Sequence, residues 1–369
     1  MFAVNPMSYD AVKAATMLSA VDPISNRSDP CREEGAGPVV TSHDVARLAG
    51  VSQPTVSRAL RDSPKVSEET KQRVREAARA LGYVPSETGR ALSSGRTRRV
   101  GLLLTDLENQ FYPHVIAPIH HELEAFGYQL VLQTETTDTD TVAERLISNG
   151  LDGVLLATTT VDSVVPVRLR DRGVPFVYFN RTADAMEADS ATVDPVPGMS
   201  EVAREIAELG HRRVGAIFGP RNTSTALQRE TALRDALDEQ GLAIGAGATH
   251  RGPFDFDTGY DGAKLLLGRA QPPTVIVCGN DVVALGALNA AKDLGITVPE
   301  EVSMVGFDDL PVAAWPLVRL STVAFDLDAM ARKAASLLVW RIQAEEPAPY
   351  EHAVFTSRLV RRQTLAAAP

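Results

Sequence analysis

Cysteine is nearly absent: Cys31 and Cys278 are the two in 369 residues. That excludes a disulfide framework, and neither cysteine has a metal-ligand partner near it in sequence. Aromatic residues make up 5% of the chain, which disfavours a nucleobase ligand that needs aromatic walls on both sides. No apolar run approaches the roughly 20 residues that an α-helical span of a bilayer requires, and no membrane partner is expected. The first residues lack a basic stretch followed by an apolar core, so no signal peptide is expected and the location expected is the cytoplasm. The chain also lacks a G-x-S-x-G elbow, a Walker loop and a G-x-G-x-x-G fingerprint. His120-His121 has no downstream ligand cluster to make a metal site. The carboxylates Asp308-Asp309 are neighbours at a strand end and point different ways. No cofactor, no metal and no enzymatic activity are expected.

What is present is a chain long and apolar enough, at 44%, to bury a large core and to form more than one domain. The net charge of −10 conceals an asymmetry. Residues 39–99 carry 12 Lys/Arg against 6 Asp/Glu, a net of +6, whereas residues 100–369 carry a net of −14. A basic head on an acidic body is the electrostatic footprint of a nucleic-acid binder.

The head opens with Thr41-Ser42-His43-Asp44-Val45-Ala46-Arg47-Leu48-Ala49-Gly50, followed by Val51-Ser52-Gln53-Pro54-Thr55-Val56-Ser57-Arg58-Ala59-Leu60. Thr41 can cap a helix, with Asp44 three residues on at the positive end of its dipole. Val45, Leu48 and Ala49 are expected on one buried face, and Gly50 suits the left-handed cap that ends the helix. Ser52 then caps a second helix that tolerates Pro54 in its first turn. Val56, Ala59 and Leu60 face the first helix, leaving Gln53, Thr55, Ser57 and Arg58 outward. This is the pattern of a helix-turn-helix whose second helix enters a DNA major groove. Alone, it is also the pattern of an ordinary helical hairpin. A third helix follows, capped at Val66-Ser67-Glu68-Glu69-Thr70 and running through Val74, Ala77, Ala78 and Leu81 to Gly82. After it come Tyr83-Val84-Pro85 and Ala91-Leu92-Ser93-Ser94-Gly95-Arg96-Thr97.

With those motifs in fixed order, the chain from Thr41 to Gly101 resembles the LacI/GalR transcription regulators. The resemblance implies a helix-turn-helix domain over residues 39–84 and a hinge helix and linker over 85–98, with the hinge helix forming only on DNA. It implies DNA contacts from Thr41, Ser52, Gln53, Pro54, Thr55, Ser57, Arg58 and Lys65 in the head and from Ser86, Gly89 and Leu92 in the hinge. Leu92 matches the leucine that wedges into the minor groove. Gly89 replaces a small helix former, at up to about 1 kcal/mol, and Ser86 replaces an asparagine. Residues 1–38, rich in scattered Pro, Ser, Asp and Gly, read as a disordered extension. Members of the family usually start just before the first helix, so this tail departs from their pattern.

From Arg99 the chain alternates strands with helices. Strands are expected at Val100–Leu104, Tyr128–Gln133, Gly153–Ala157, Pro175–Phe179, Val214–Phe218, Val275–Cys278 and Val302–Phe307. Helices are expected over Ser200–Leu209, Ala226–Gln240 and Asp281–Leu294. Such alternation implies α/β architecture with parallel sheets covered on both faces. The resemblance continues at Leu209–Val214, Cys278–Asp281 and Val305–Asp309. It implies a two-lobed periplasmic-binding-protein-like effector-binding and dimerisation domain over residues 99–369. The chain should cross between lobes near 195 and 327, and a terminal strand near Phe355–Val360 should close the second lobe.

Ligands of open α/β sheets sit beyond the carboxyl ends of the strands. The polar residues there are Asp106, Glu108, Asn109, Asn180, Arg181, Asn280, Asp281, Asp308 and Asp309. Among positions after strands or near the crossing, the resemblance selects Asn109, Phe111, Arg181, Asp194, Arg229, Phe254 and Asp281 as the effector cleft. Vicinal hydroxyls satisfy a carboxylate and a guanidinium together, and Phe254 can stack on a ring. The reading is a ligand-responsive repressor of carbohydrate-utilisation genes. It acts as a homodimer on a near-palindromic double-stranded DNA operator and is released by a sugar or sugar phosphate. The alternatives are co-repression by a nucleobase, clamped between Phe111 and Phe254, and a stand-alone solute-binding protein, which fits the body but not the basic head.

Gln53 can bond an adenine edge and Arg58 a guanine edge in the major groove. Arg58→Ala is expected to weaken specific binding by roughly 1–3 kcal/mol and to relax choice at one base pair per half-site. A mobility-shift series over operator variants checks this. A uniform loss with unchanged sequence preference would reassign Arg58 to a phosphate.

Overall fold

The computed structural model describes residues 40–84, 96–105, 107–134 and 139–369. The expected amino-terminal extension, Cys31, the hinge residues Ser86, Gly89 and Leu92, and Asp106 lie outside the described residues. The chain divides into two compact units, Met1–Pro85 and Ser86–Pro369.

The first unit holds helices α1 (Ser42–Ala49), α2 (Gln53–Leu60) and α3 (Glu68–Ala80). Their shared core is small: Val45, Ala46, Ala49, Val56, Ala59, Val74, Ala77 and Ala78, with Leu60 partly buried against it. Leu48, expected inside, is 56% exposed. Steps of about 100° per residue put Val45, Ala49 and Ala46 within one arc and leave Leu48 beyond its edge. Gly50 takes φ 66°, and the next amide, of Val51, donates back to the Ala46 carbonyl at 3.0 Å, which closes α1. Lys71 is buried yet satisfied, donating to Glu68 at 2.6 Å and pairing with Asp62 at 3.1 Å. It ties the first turn of α3 to the segment that leaves α2.

The second unit contains two six-stranded sheets. The strands of the first are β1 (Arg99–Leu104), β2 (Gln129–Thr134), β3 (Gly153–Leu156), β4 (Phe176–Phe179), β5 (Ser190–Asp194) and β11 (His352–Thr356). They lie in the order β11-β5-β4-β3-β1-β2, parallel throughout. The second sheet is built from β6 (Val214–Phe218), β7 (Ile244–Arg251), β8 (Val275–Cys278), β9 (Ser303–Phe307), β10 (Ser321–Ala324) and β12 (Arg358–Val360). Its order is β12-β10-β9-β8-β6-β7, parallel except where β12 meets β10. Every residue of β3, β4, β6, β8 and β9 is buried, as helices on both faces of a parallel sheet require. Among the described residues no helix is long and apolar enough to cross a membrane.

The chain passes from the first sheet to the second lobe at Pro195, returns at Phe325–Asp326 and passes again at Ser357. The last passage corrects the expected terminal strand. Phe355 belongs to β11 in the first sheet, and only Arg358–Val360 joins the second. Ser357 divides them because its side chain is engaged across the passages: Oγ donates to the Asp194 carbonyl at 2.7 Å and accepts from the Gly198 amide at 3.1 Å. β5, β7 and β10 were not anticipated. β7 is an edge strand of small residues, IGAGATHR, with little apolar pattern to reveal it.

In the second lobe the helices Phe256–Leu267 and Asp281–Asp293 meet backbone to backbone. A Cβ at Gly259 would lie 1.9 Å from the Val283 carbonyl oxygen, and one at Gly286 would lie 2.0 Å from that of Phe256. Gly286→Ala should therefore lower stability by about 1–3 kcal/mol, even though alanine gains about 1 kcal/mol over glycine in a helix. Urea denaturation measures the balance, and a midpoint equal to or above wild type would refute the close approach.

Candidate DNA-reading surface and effector cleft

The start of α1 is held by Asp44, which accepts from the Thr41 amide at 3.0 Å and the Thr41 hydroxyl at 2.7 Å and pairs with Arg47. Those bonds hold the Asp44 carboxyl below its ordinary range. Thr41 stays exposed but is engaged with Asp44. Ser52 precedes α2, and its hydroxyl exchanges a 2.8 Å hydrogen bond with that of Thr55. Gln53 is half-buried, and its Nε2 donates to Ser42 Oγ at 3.3 Å, so this side chain is braced against α1. Pro54, Arg58 and Lys65 are exposed, and Thr55 and Ser57 are half-exposed. The surface of α2 thus presents short polar groups, one exposed proline and one long cation, with its apolar side in the core.

In the second unit, Asn109, Phe111, Arg181, Arg229 and Phe254 converge on one cavity between the lobes. Tyr112, Ala157, Asn180, Thr225, Asn280 and Asp308 complete its lining. These residues follow the carboxyl ends of β1, β3, β4, β6, β7, β8 and β9, where parallel strands of two facing sheets leave backbone ends and helix starts exposed to one another. The lobes are joined across it. Asn109 Nδ2 donates to the Phe254 carbonyl at 2.8 Å, the Thr182 amide to Ser224 Oγ at 3.0 Å, and the Val161 amide to the Asn222 carbonyl at 2.9 Å. The free space inside is about 20 Å³, little more than one water occupies. A solute of sugar size enters only if the lobes part.

Arg229 and Asp308 are the electrostatic centre, paired at 2.9 Å with side chains 7% and 2% exposed. The second arm of the guanidinium donates to the Gly279 carbonyl at 2.8 Å, and its central carbon lies 3.8 Å from the centre of the Phe307 ring. Burial pushes the Asp308 carboxyl up to about 6, against the pull of Arg229 and then of Arg181. Phe254 lies against Gly219, where a Cβ would come within 2.2 Å of its ring, and its ring centre is 5.6 Å from the Arg181 guanidinium. The buried oxygens Asn180 Oδ1 and Thr225 Oγ1 have no hydrogen-bond partner, and both side chains line the cavity. Two acceptors, the Asp308 carboxylate and two guanidinium groups therefore surround one small volume beside an aromatic face.

Two residues expected in the cleft do not line it. Asp281 is fully buried behind it, accepting from the Leu310 amide at 2.8 Å and from Thr322 Oγ1 at 2.5 Å. Burial, with Asp308 nearby, raises its carboxyl well above the ordinary range. It is not the helix cap either. Asn280 holds that place, its Oδ1 accepting from the Val283 amide at 2.9 Å. Asp194 sits at the first passage between lobes, where its Oδ1 accepts from the Val196 amide at 2.9 Å. The carboxylate that does face the cavity, Asp308, is legible as a residue just past a strand, as are Asn180 and Asn280. Tyr112 and Thr225 had no such signal, because they lie inside helices that only the fold turns toward the cleft. Asp309 points away and pairs with Arg362 at 2.7 Å. Among the described residues no group of three His, Cys, Asp or Glu side chains could hold a metal ion.

Comparison with known proteins agrees with both halves. A model described as bacterial regulatory proteins, lacI family, matches residues 41–86, and one described as a periplasmic binding protein-like domain matches residues 203–365. The HTH-type transcriptional regulator MalR of Streptomyces coelicolor is 35% identical over 338 residues, 88% of this chain and 96% of the relative. The structure of a complex of the transcriptional regulator CelR with cellobiose is similar at 30% identity and a TM-score of 0.67, covering 88% of this chain and 99% of that one. The Lac repressor dimer bound to operator shares the fold, with a TM-score of 0.79 at 23% identity over 89% of this chain and 99% of that one. A head that matches the family's DNA-binding domain, and a relative aligned along almost its whole length, make this chain a member of the LacI family of bacterial transcription regulators.

Proposed function

We propose that this regulator is a repressor of carbohydrate-utilisation genes that a sugar-type inducer releases from its operator. It works in the cytoplasm as a homodimer, two heads reading a near-palindromic DNA site, and acts by binding without turnover. Arg58 reads a base in this scheme. Gln53, once it leaves Ser42, reads a second, while Thr41, Ser52, Thr55, Ser57 and Lys65 position the head and Pro54 offers an apolar contact. Ser86, Gly89 and Leu92 supply the hinge. The effector is held by Asn109, Phe111, Arg181, Arg229 and Phe254, with Asp308 taking the role expected of Asp281 and Asp194.

The observation that carries this reading is the buried Arg229–Asp308 pair, facing a cavity beside Asn180 Oδ1, Thr225 Oγ1 and the Phe254 ring. A ring hydroxyl can donate to the carboxylate or to either free oxygen while accepting from a guanidinium. That CelR has been captured with cellobiose supports a disaccharide as the first probe. Lobe closure is the step such a ligand would bias, and coupling to the head is then reciprocal.

Cellobiose, maltose, their monosaccharides, sugar phosphates and purines form the test panel, read by thermal shift and by release of an operator duplex selected in vitro. A sugar should raise the melting temperature and loosen the duplex. Purines alone doing so, with tighter DNA binding, would replace this reading with co-repression.

Asp308→Asn should weaken binding of the active sugar roughly 10- to 100-fold, the worth of a hydrogen bond to a charged group. Because the Asp308 carboxyl ionises at about 6, wild-type affinity should hold near neutral pH and fall as the pH drops through that value. The Asp308→Asn variant should lose that slope. Calorimetric titration across pH measures both, and a wild-type profile flat through pH 6 would remove Asp308 from the ligand.

A further inference from the structure

The end of the linker is attached to the first lobe far more firmly than a tether needs to be. At the turn that enters β3, Asp152 accepts three hydrogen bonds from residues 55 and 54 positions earlier. Its Oδ1 takes the Thr97 amide and the Thr97 hydroxyl, both at 2.8 Å, and its Oδ2 takes the Arg98 amide at 2.9 Å. The Asp152 amide in turn donates to the Arg99 carbonyl at 2.8 Å.

The guanidinium groups around this turn have an unusual shared task. Arg96 donates to the Ile342 carbonyl at 3.2 Å, Arg98 to that of Phe126 at 3.5 Å and Arg99 to that of Asn149 at 3.2 Å. Those carbonyls stand at the carboxyl ends of three helices, Leu327–Gln343, Phe111–Ala125 and Thr139–Ser148. Each is the negative end of a helix dipole with carbonyls that have no partner inside the helix. The first two helices pack in the core on one face of the first sheet, and the third packs in the core on the other. Four consecutive residues thus join one strand turn to helices on both faces.

The same two strands lead to the cleft. β1 runs from Arg99 to Leu104 and β3 from Gly153 to Leu156, roughly 20 Å and 13 Å at the rise of a strand. Asn109 lies beyond the far end of β1, and Ala157 follows β3, both in the cavity lining. Clamp and cleft are opposite ends of one rigid pair of strands.

We propose that Asp152 is a positioning residue for allosteric coupling. Together with Arg96, Arg98 and Arg99 it clamps the linker to the first lobe, so that motion at the cleft reaches the hinge as a rigid displacement and is not lost in slack chain. The idea rests on the reading of the protein as a ligand-responsive regulator, but not on which ligand it senses. Coupling free energy is shared between sites, so DNA bound at the head must also be felt in the body if the clamp transmits.

The full-length protein is tested with the in-vitro-selected duplex as probe, by hydrogen exchange with and without DNA. In wild type the duplex should slow exchange at the Thr97 and Arg98 amides and along β1 and β3. In Asp152→Ala the head should still be protected, whereas the change in β1 and β3 should shrink by more than about half. Cellobiose, or whichever sugar of the panel binds wild type, should bind the variant within about threefold of wild type yet no longer release the duplex. An equal DNA-induced change in β1 and β3 in wild type and variant overturns the clamp, as does a wild type whose body does not respond to DNA. If no sugar binds wild type, the sugar reading fails while the exchange comparison still decides the clamp. Should Asp152→Ala not fold, Thr97→Val and the double variant Arg96→Gln, Arg98→Gln carry the same comparison. Reduced coupling in either supports the clamp, and full coupling in both refutes it.

Discussion

The buried pair of Arg229 and Asp308 is the interaction around which the effector body is arranged. Removing two charges from water is expensive, and their mutual attraction offsets that cost only when the remaining polar atoms are also satisfied. Here the guanidinium turns its other arm to the Gly279 carbonyl and sets its central carbon over the Phe307 ring. The pair therefore brings together the helix Ser224–Glu239, the loop after β8 and the end of β9. Phe254 then rests on Gly219, and Asn109 reaches across from the other lobe to hold the Phe254 carbonyl. Burial places the Asp308 carboxyl at about 6, and in the proposed reading a ligand hydroxyl competes with a proton for its oxygens.

Behind that centre lies a different kind of polar group. Asp281 is shielded from solvent, where burial raises its carboxyl well above the ordinary range and where it accepts from the Leu310 amide and the Thr322 hydroxyl. These two hydrogen bonds offset part of the cost of burying a polar group. Of the two acidic residues, Asp308 is the one that lines the cavity. Two of the three passages between lobes, at Pro195 and at Ser357, are tied to one another by Ser357, which bonds both Asp194 and Gly198.

The head and the body differ in how legible they were. In the head, Thr41 with Asp44, Gly50 with its positive φ, and Ser67 accepting from the Thr70 amide are all interactions within a few residues, and sequence spacing is enough to foresee them. Leu48 was misplaced because a helix of eight residues has too few turns to define its buried arc. In the body, β4, β6, β8 and β9 announce themselves as short apolar runs, since both faces are covered. β5, β7 and β10 do not, being polar, glycine-rich or brief. Asn109, Phe111, Arg181, Arg229 and Phe254 were expected in the cleft and line the cavity, while Asp194 and Asp281 were expected and do not.

The sequence by itself determined the class of the molecule: a basic helix-turn-helix ahead of alternating strands and helices. Caps, turn residues and hydrophobic periods act over one or two helical turns, and they are written directly in the order of residues. Tertiary structure alone decided which acidic residue meets the cleft. Asp281 and Asp308 both stand a few residues past a buried strand, and no local rule separates them. Their partners do, at sequence separations of 29 and 41 residues for Asp281 and 79 for Asp308. Which way a side chain turns at a strand end depends on which distant groups the packing of the lobe brings within hydrogen-bonding reach.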